Sequence, residues 1–223
     1  MILNFKGPDE GLNASVYAEL RQRIVTGLIS PDHELSTRSL ASELGVSQTP
    51  VRDALSRLSA EGAVSIRSKR RVRVPEMTNE RFDDLLRCRL LLEPEAAVLA
   101  LPHLTAADVS RLREINTMIA RAITANDATG YMQANYDFHF TLYCAQPQKT
   151  LTQLIETLWL QFGPYMRMLY GRVSNTELNQ RHDVAIKAIE AQDANALREA
   201  ISRDISDGMG LLGQRDLATT TPR

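Results

Sequence analysis

STRSLASELGVSQTPVRDALSRL, residues 36–58, decides how the rest of the chain is read. Two short helices around a Gly-containing turn are the sequence pattern of a helix-turn-helix. Leu40, Ala41 and Leu44 fall on one face of the first helix, Gly45 permits the tight turn, and Val46 is an apolar plug between the helices. Ser47 is placed to cap the second helix. From there Val51, Ala54, Leu55 and Leu58 recur at helical spacing and should face a core, leaving Gln48, Thr49, Arg52 and Ser56 outward. Those outward side chains can meet a DNA groove.

Working back towards the N-terminus, Val16, Leu20, Ile24 and Leu28 repeat every four residues. A helix is expected over 16–26, capped by Ser15 and closed by Gly27, with residues 1–12 a loose arm. His33 falls in a turn before the motif. Working forward, the second helix of the motif should stop near Glu61-Gly62. Residues 63–66 and 71–74 then alternate apolar with polar or basic side chains, a two-stranded ribbon with its tip at 67–70. The ribbon is a wing, and Arg67, Lys69, Arg70, Arg71 and Arg73 crowd into it.

The formal net charge of −1 hides an asymmetry. Residues 1–75 carry 11 Lys/Arg against 8 Asp/Glu, whereas residues 76–223 carry 15 against 19. The basic part suits phosphate contact and the acidic part does not. The first residues show no signal pattern, and Glu93, Pro94 and Glu95 interrupt the apolar run near 90–101, so the expectation is a cytoplasmic protein without a membrane span. Cys88 and Cys144 are too few for a disulfide framework or a Cys-based zinc module and read as buried small hydrophobes.

Beyond a linker at 76–78, Gly is sparse and breaks recur at Pro102, Asn126-Asp127, Pro147, Gly171 and Gln192-Asp193. Helices are therefore expected near 79–100, 105–124, 128–146, 148–170, 176–191 and 194–211. Six helices of that length make an antiparallel bundle. The fold class is thus mainly α: a DNA-binding winged helix-turn-helix over 12–75, a helical domain over 79–212 and a polar tail over 213–223.

Within the bundle, Asn135 and His139 are four apart and project from one helical face. His182 and Asp204 stand eleven residues on either side of Asp193, so an antiparallel hairpin sets them level. Asn135, His139, His182 and Asp204 together suit a divalent metal, zinc or another first-row ion. Taken one at a time, His139 reads as a hydrogen-bonded core residue and His182 as a surface one; taken jointly, at equal height, they favour the metal. His103 reads as structural.

Residues 14–75 resemble the winged helix-turn-helix of GntR-type bacterial transcription regulators. The likeness rests on Ser36-Thr37-Arg38-Ser39-Leu40-Ala41, on residues 45–55 and on Leu58-Ser59-Ala60-Glu61-Gly62. It implies DNA contacts from Arg38, Gln48, Arg52 and Lys69. Gln48 stands where Arg is common and Lys69 where Gly is common; Gln favours adenine, so altered operator bases are expected under Gln48. Thr49, Arg70 and Arg71 complete the expected DNA face. The second half resembles the FCD-type effector domain of the FadR-like subfamily in its six-helix, VanR-like form, through residues 89–97, Asn135-Tyr136-Asp137-Phe138-His139 and His182. That resemblance implies a metal site at Asn135, His139 and His182, with Asp204 in place of a third His, and a small carboxylate effector. Arg89 matches an Arg four residues before the family's Glu, and suits either a carboxylate ligand or an ion pair with Glu93. Arg167, among apolar neighbours, is a second candidate for the effector cavity.

The expected function is a regulator, most simply a repressor, that binds double-stranded operator DNA as a homodimer and responds to a small organic acid. A metal-dependent hydrolase or lyase carrying a DNA-binding module is the alternative, because an open metal position can activate water. Against it, Asp137 points off the ligand face and leaves no evident general base. A structural nucleoid protein would bind DNA without base preference or ligand response.

Overall fold

The computed structural model describes residues 9–31, 34–68, 71–170 and 175–210. It divides into two compact units, Met1–Glu76 with Trp159–Tyr165, and Met77–Leu158 with Met166–Arg223.

In the first unit, α1 (Asp9–Val25), α2 (Thr37–Leu44) and α3 (Gln48–Ala60) precede the strands β1 (Ser65–Ser68) and β2 (Arg71–Arg73). Helix α1 starts earlier than its apolar spacing predicts. Ser15 is inside it rather than capping it, and its hydroxyl donates back to the Gly11 carbonyl at 2.8 Å. Val16, Leu20 and Ile24 are buried, but Leu28 lies past the helix end and is 53% exposed. Gly27, at φ 67°, breaks the four-residue repeat before Leu28 can join it. Ser36 caps α2 by accepting from the Ser39 amide at 2.9 Å, and Gly45 closes it at φ 67°. Ser47 occupies the cap position of α3 with extended backbone, yet its side chain makes no capping bond.

Val51, Ala54, Leu55 and Leu58 of α3 are buried, a 3.6-residue stripe facing inward as the spacing requires. Val16 and Leu20 of α1 and Leu40 of α2, the helices packed against it, are buried as well. The wing is an antiparallel pair with Ile66 opposite Val72 and an irregularity before Ser68. Leu35 adds a bridge to Val72, its amide donating at 2.8 Å and its carbonyl accepting at 2.9 Å. This short addition ties the turn before α2 to the wing.

The second unit contains α4 (Asn79–Ala100), α5 (Ala106–Thr124), α6 (Ala128–Tyr143), α8 (Asn175–Glu190), α9 (Ala194–Gly210) and most of α7 (Lys149–Tyr170). Helices are separated by local chemistry. Thr78 caps α4, Thr105 and Asp108 form a capping box on α5, and Asp127 caps α6. Asn126 and Gln192 adopt left-handed φ of 52° and 54°, each followed by an Asp that caps the next helix. Helix α6 ends three residues before the expected 146 because Cys144 already terminates it. Cys144 is consequently exposed and Cys88 half-buried, so neither is the core hydrophobe expected. The core gathers Leu112, Ile115, Ile119, Phe138, Leu142, Leu197 and Ile201, all at most 1% exposed. No helix among the described residues is long and apolar enough to cross a membrane.

Candidate functional site

Two sets of side chains carry chemistry, and they differ in burial. In the first unit, Gln48, Thr49, Arg52 and Ser56 all lie exposed on the first turns of α3, and Arg38 is exposed on α2. The core-facing stripe of α3 forces this arrangement, because the residues between its apolar positions have only solvent to face. Arg52 is not tied down: its nearest described partner is the Thr49 hydroxyl at 3.4 Å. On the wing, Arg71 and Arg73 each stand 3.5 Å from Glu34 and stay at least half exposed. Lys69, Arg70 and His33 lie outside the described residues. A helix presenting polar residues at its N-terminal turns beside a cationic ribbon can read base edges with one and phosphates with the other.

The second unit places its polar groups inside. His139 on α6, His182 on α8 and Asp204 on α9 offer ligand atoms that all lie within 4.8 Å of one another. His139 is 1% and His182 2% exposed. His182 is therefore not a surface residue. His139 Nε2 stands 3.1 Å from Asp204 Oδ2. Among the described residues neither nitrogen of the His182 ring has a hydrogen-bond partner, although a buried imidazole left unpaired is costly. Asn135, one turn before His139, is also buried. Donors around a tetrahedral cation with bonds of about 2.0–2.2 Å lie about 3.3–3.6 Å apart. The two His and the Asp would have to close by up to about 1.5 Å to hold one, within reach of side-chain rotation, and their nitrogen and oxygen donors fit zinc or a neighbouring first-row ion.

The electrostatics follow from burial. Desolvation lowers the His182 imidazole to about 4, with the Asp204 carboxylate opposing and His139 and Arg181 reinforcing the shift. Burial would raise the Asp204 carboxyl, but the His139 hydrogen bond and the charges of His182, His139 and Arg181 hold it well below the usual range. Around neutral pH His182 is thus an unprotonated ligand and Asp204 an anion, the states a metal needs.

Arg89 and Glu93 sit one turn apart on α4, 3% and 0% exposed. Their bidentate ion pair has Arg89 Nε 2.5 Å from Glu93 Oε1 and Nη2 3.2 Å from Oε2. Of the two roles open to Arg89 from sequence, the ion pair is the one with a partner in place. Burial works against the Arg89 guanidinium, and the Glu93 carboxylate more than offsets it. Tyr143 donates to Glu93 Oε2 at 3.0 Å and lies 3.0 Å from His139 Nδ1. Arg167 donates to the Thr129 hydroxyl at 2.9 Å. Asp137 accepts from Gln133 at 2.9 Å.

Glu93, Tyr143 and Arg181 were not legible as site residues. Glu93 and Tyr143 are 50 positions apart, and Arg181 reads in sequence as an ordinary solvated cation. The one available signal was that His139 and Tyr143, at i and i+4, share a face of α6.

Comparison with known proteins bears on both units. A model of bacterial regulatory proteins of the gntR family matches residues 12–74, and a model of the FCD domain matches residues 84–207. The HTH-type transcriptional regulator McbR of Escherichia coli (strain K12) is 29% identical over 207 residues, covering 92% of this chain and 94% of that one. The solved structure of E. coli McbR/YncC superposes with a TM-score of 0.84, covering 90% of this chain and 96% of that one at 29% identity. The gluconate operon transcriptional repressor of Bacillus subtilis (strain 168) is 28% identical over 203 residues, covering 85% of this chain and 80% of its own. These relatives are regulators, which answers the hydrolase or lyase alternative. With an exposed helix and wing in the part matched by the gntR model and a helical fold in the part matched by the FCD model, the chain belongs to the GntR family of bacterial regulatory proteins, as a DNA-binding transcription regulator with an FCD domain.

Proposed function

We propose that this regulator is a cytoplasmic repressor that binds its operator as a homodimer and is released by a small carboxylate held in the second unit through a divalent metal. Asn135, His139, His182 and Asp204 would hold the metal. Bound there, the metal would supply an electrophilic anchor for a carboxylate oxygen. Arg167, which donates to Thr129, and Arg181, 3.7 Å from Asp207, would turn to a second carboxylate oxygen, and Arg89 would act through its pair with Glu93.

The observation that carries the sensing half is His182, a buried imidazole whose two nitrogens have no hydrogen-bond partner among the described residues and which stands beside a carboxylate. An apolar core gains nothing from that arrangement, whereas a metal site requires it. Dimerisation is supported by the need of one short reading helix for a second half-site. The open surface of α4 lined by Asp83, Leu86, Arg87, Leu90 and Leu91, with Leu91 67% exposed, offers apolar area for a second copy. A named repressor among the relatives supports the sign of regulation. Effector and DNA then oppose each other by the same coupling energy, about 1–3 kcal/mol for such systems.

The test uses tag-free protein purified without chelator. Elemental analysis should find about one metal per chain, lost in His139→Ala. Operator affinity, followed by anisotropy across a panel of small carboxylates, should fall about 5- to 150-fold with the right one. No bound metal, together with unchanged behaviour of His139→Ala, would defeat the metal. Light scattering that shows a monomer on its operator would defeat the dimer.

A further inference from the structure

Behind His139 lies a chain of polar groups that the sensing role leaves unexplained. Arg89 gives two N–H bonds to Glu93, Tyr143 gives its hydroxyl proton to the same carboxylate, and the Tyr143 oxygen sits 3.0 Å from His139 Nδ1. All four side chains are essentially buried. A phenol has one proton. The Tyr143 oxygen lies 3.0 Å from Glu93 Oε2, a carboxylate oxygen that can only accept, so that proton points at Glu93. Since it is directed at Glu93, Tyr143 can only accept from His139. Nδ1 must therefore carry a hydrogen. Nε2 faces Asp204 Oδ2 at 3.1 Å, so something positive has to lie between them: the proton of the hydrogen bond that holds the Asp204 carboxyl low, or a cation that displaces it.

We infer that Arg89, Glu93 and Tyr143 form a buried positioning relay that keeps the His139 proton on Nδ1 and so aims the Nε2 lone pair at the cation shared with Asp204 and His182. The inference deepens the metal reading above and rests on it. Arg89 fixes the Glu93 carboxylate, Glu93 fixes the direction of the Tyr143 hydroxyl, and Tyr143 fixes the imidazole. Partners behind a ligating histidine orient the ring and raise its basicity, and losing one commonly costs 10- to 100-fold in metal affinity. The ion pair on α4 thereby has a task at a ligand on α6 that it does not itself touch.

The test takes the full chain with 15N-labelled histidine, with and without added Zn2+, and assigns His139 by comparison with His139→Asn. Wild-type His139 should show a protonated, hydrogen-bonded Nδ1 in both samples and a zinc-shifted Nε2 in the loaded one. Tyr143→Phe, checked for native helicity, should lose the hydrogen-bonded Nδ1–H signature and bind zinc roughly 10- to 100-fold more weakly in competition with a chromophoric chelator. Glu93→Gln, which keeps Tyr143 but offers its hydroxyl an amide donor, should weaken zinc in the same direction. A bare Nδ1 in wild type overturns the relay, as does a folded Tyr143→Phe with unchanged zinc affinity. Wild type that takes up no zinc defeats the metal reading instead, and the Nδ1 state of the metal-free chain still decides whether the relay exists.

Discussion

The two units use polar side chains in opposite ways. In the first, Arg38, Gln48, Thr49 and Arg52 lie in solvent, and the core beneath them is apolar. In the second, Arg89, Glu93, Asn135, His139 and His182 are all under 5% exposed. A group in solvent can be exchanged without much effect on folding, and its worth is realised only when DNA arrives. A buried charge must be satisfied for the chain to fold at all. The exposed and the buried polar groups are thus separated in energy as well as in sequence.

The sharpest way to break this contrast is Glu93→Ala. It removes the carboxylate that pairs with the buried Arg89 guanidinium and accepts from Tyr143. Removing one partner of a buried pair typically costs about 3–5 kcal/mol. Chemical denaturation should show a loss of that size in the second unit. A loss below about 1 kcal/mol would mean that water reaches Arg89 and that the interior is wetter than its burial implies.

The second expectation is a pH dependence of the metal-free chain. His182 titrates near 4 when folded and near 6.5 when unfolded. As pH falls through 6.5 the unfolded chain takes up its proton first, so stability drops between pH 6.5 and 4 and is fully present above 6.5. For a group this buried the loss approaches about 3 kcal/mol at most. Denaturation midpoints across that window should fall in wild type and flatten in His182→Gln. A pH-independent midpoint would mean that the ring is paired after all.

How much of this was readable beforehand follows the same division. The reading helix was legible because local rules agree there: the apolar stripe, Gly45 and the Ser36 cap all act within a few residues. The breaks at Asn126-Asp127 and Gln192-Asp193 were legible for the same reason, each joining a left-handed residue to a capping Asp. Counting outward from Asp193 put His182 and Asp204 level, and their ligand atoms do lie within 4.8 Å of each other. The Tyr143–Glu93 bond was not legible, since no periodicity links α6 to α4 and a tyrosine among apolar residues looks like packing. Leu35 pairing with Val72 escaped because one bridging residue leaves no strand pattern. The early start of α1 escaped because its first turns have no apolar stripe to announce them.

On the exposed side the contrast predicts function lost without stability. Arg52→Ala should leave the unfolding free energy within about 0.5 kcal/mol of wild type. It should weaken operator binding by about 1–3 kcal/mol and relax the preference at one base pair, as a binding-site selection would reveal. A matching loss of stability would place Arg52 in the fold rather than at the groove.

The smallest effect is expected at Glu34, which stands between the two cases. Its carboxylate lies 3.5 Å from both Arg71 and Arg73, and all three side chains are about a third exposed or more. Pairs this open contribute little to stability, so Glu34→Gln should change it by no more than about 0.5 kcal/mol. The carboxylate does subtract from the positive field of the wing, and a phosphate would have to compete with it for the same guanidinium groups. Removing it should therefore tighten DNA binding about two- to five-fold at low salt, through the electrostatic part of the affinity. The gain should fade as salt screens it, and should be similar for operator and random DNA, since phosphate contacts do not distinguish sequences. Weaker binding by Glu34→Gln would instead show that the carboxylate holds the two arginines in the orientation the groove needs, and the wing would then resemble the buried site in needing its partners fixed in advance.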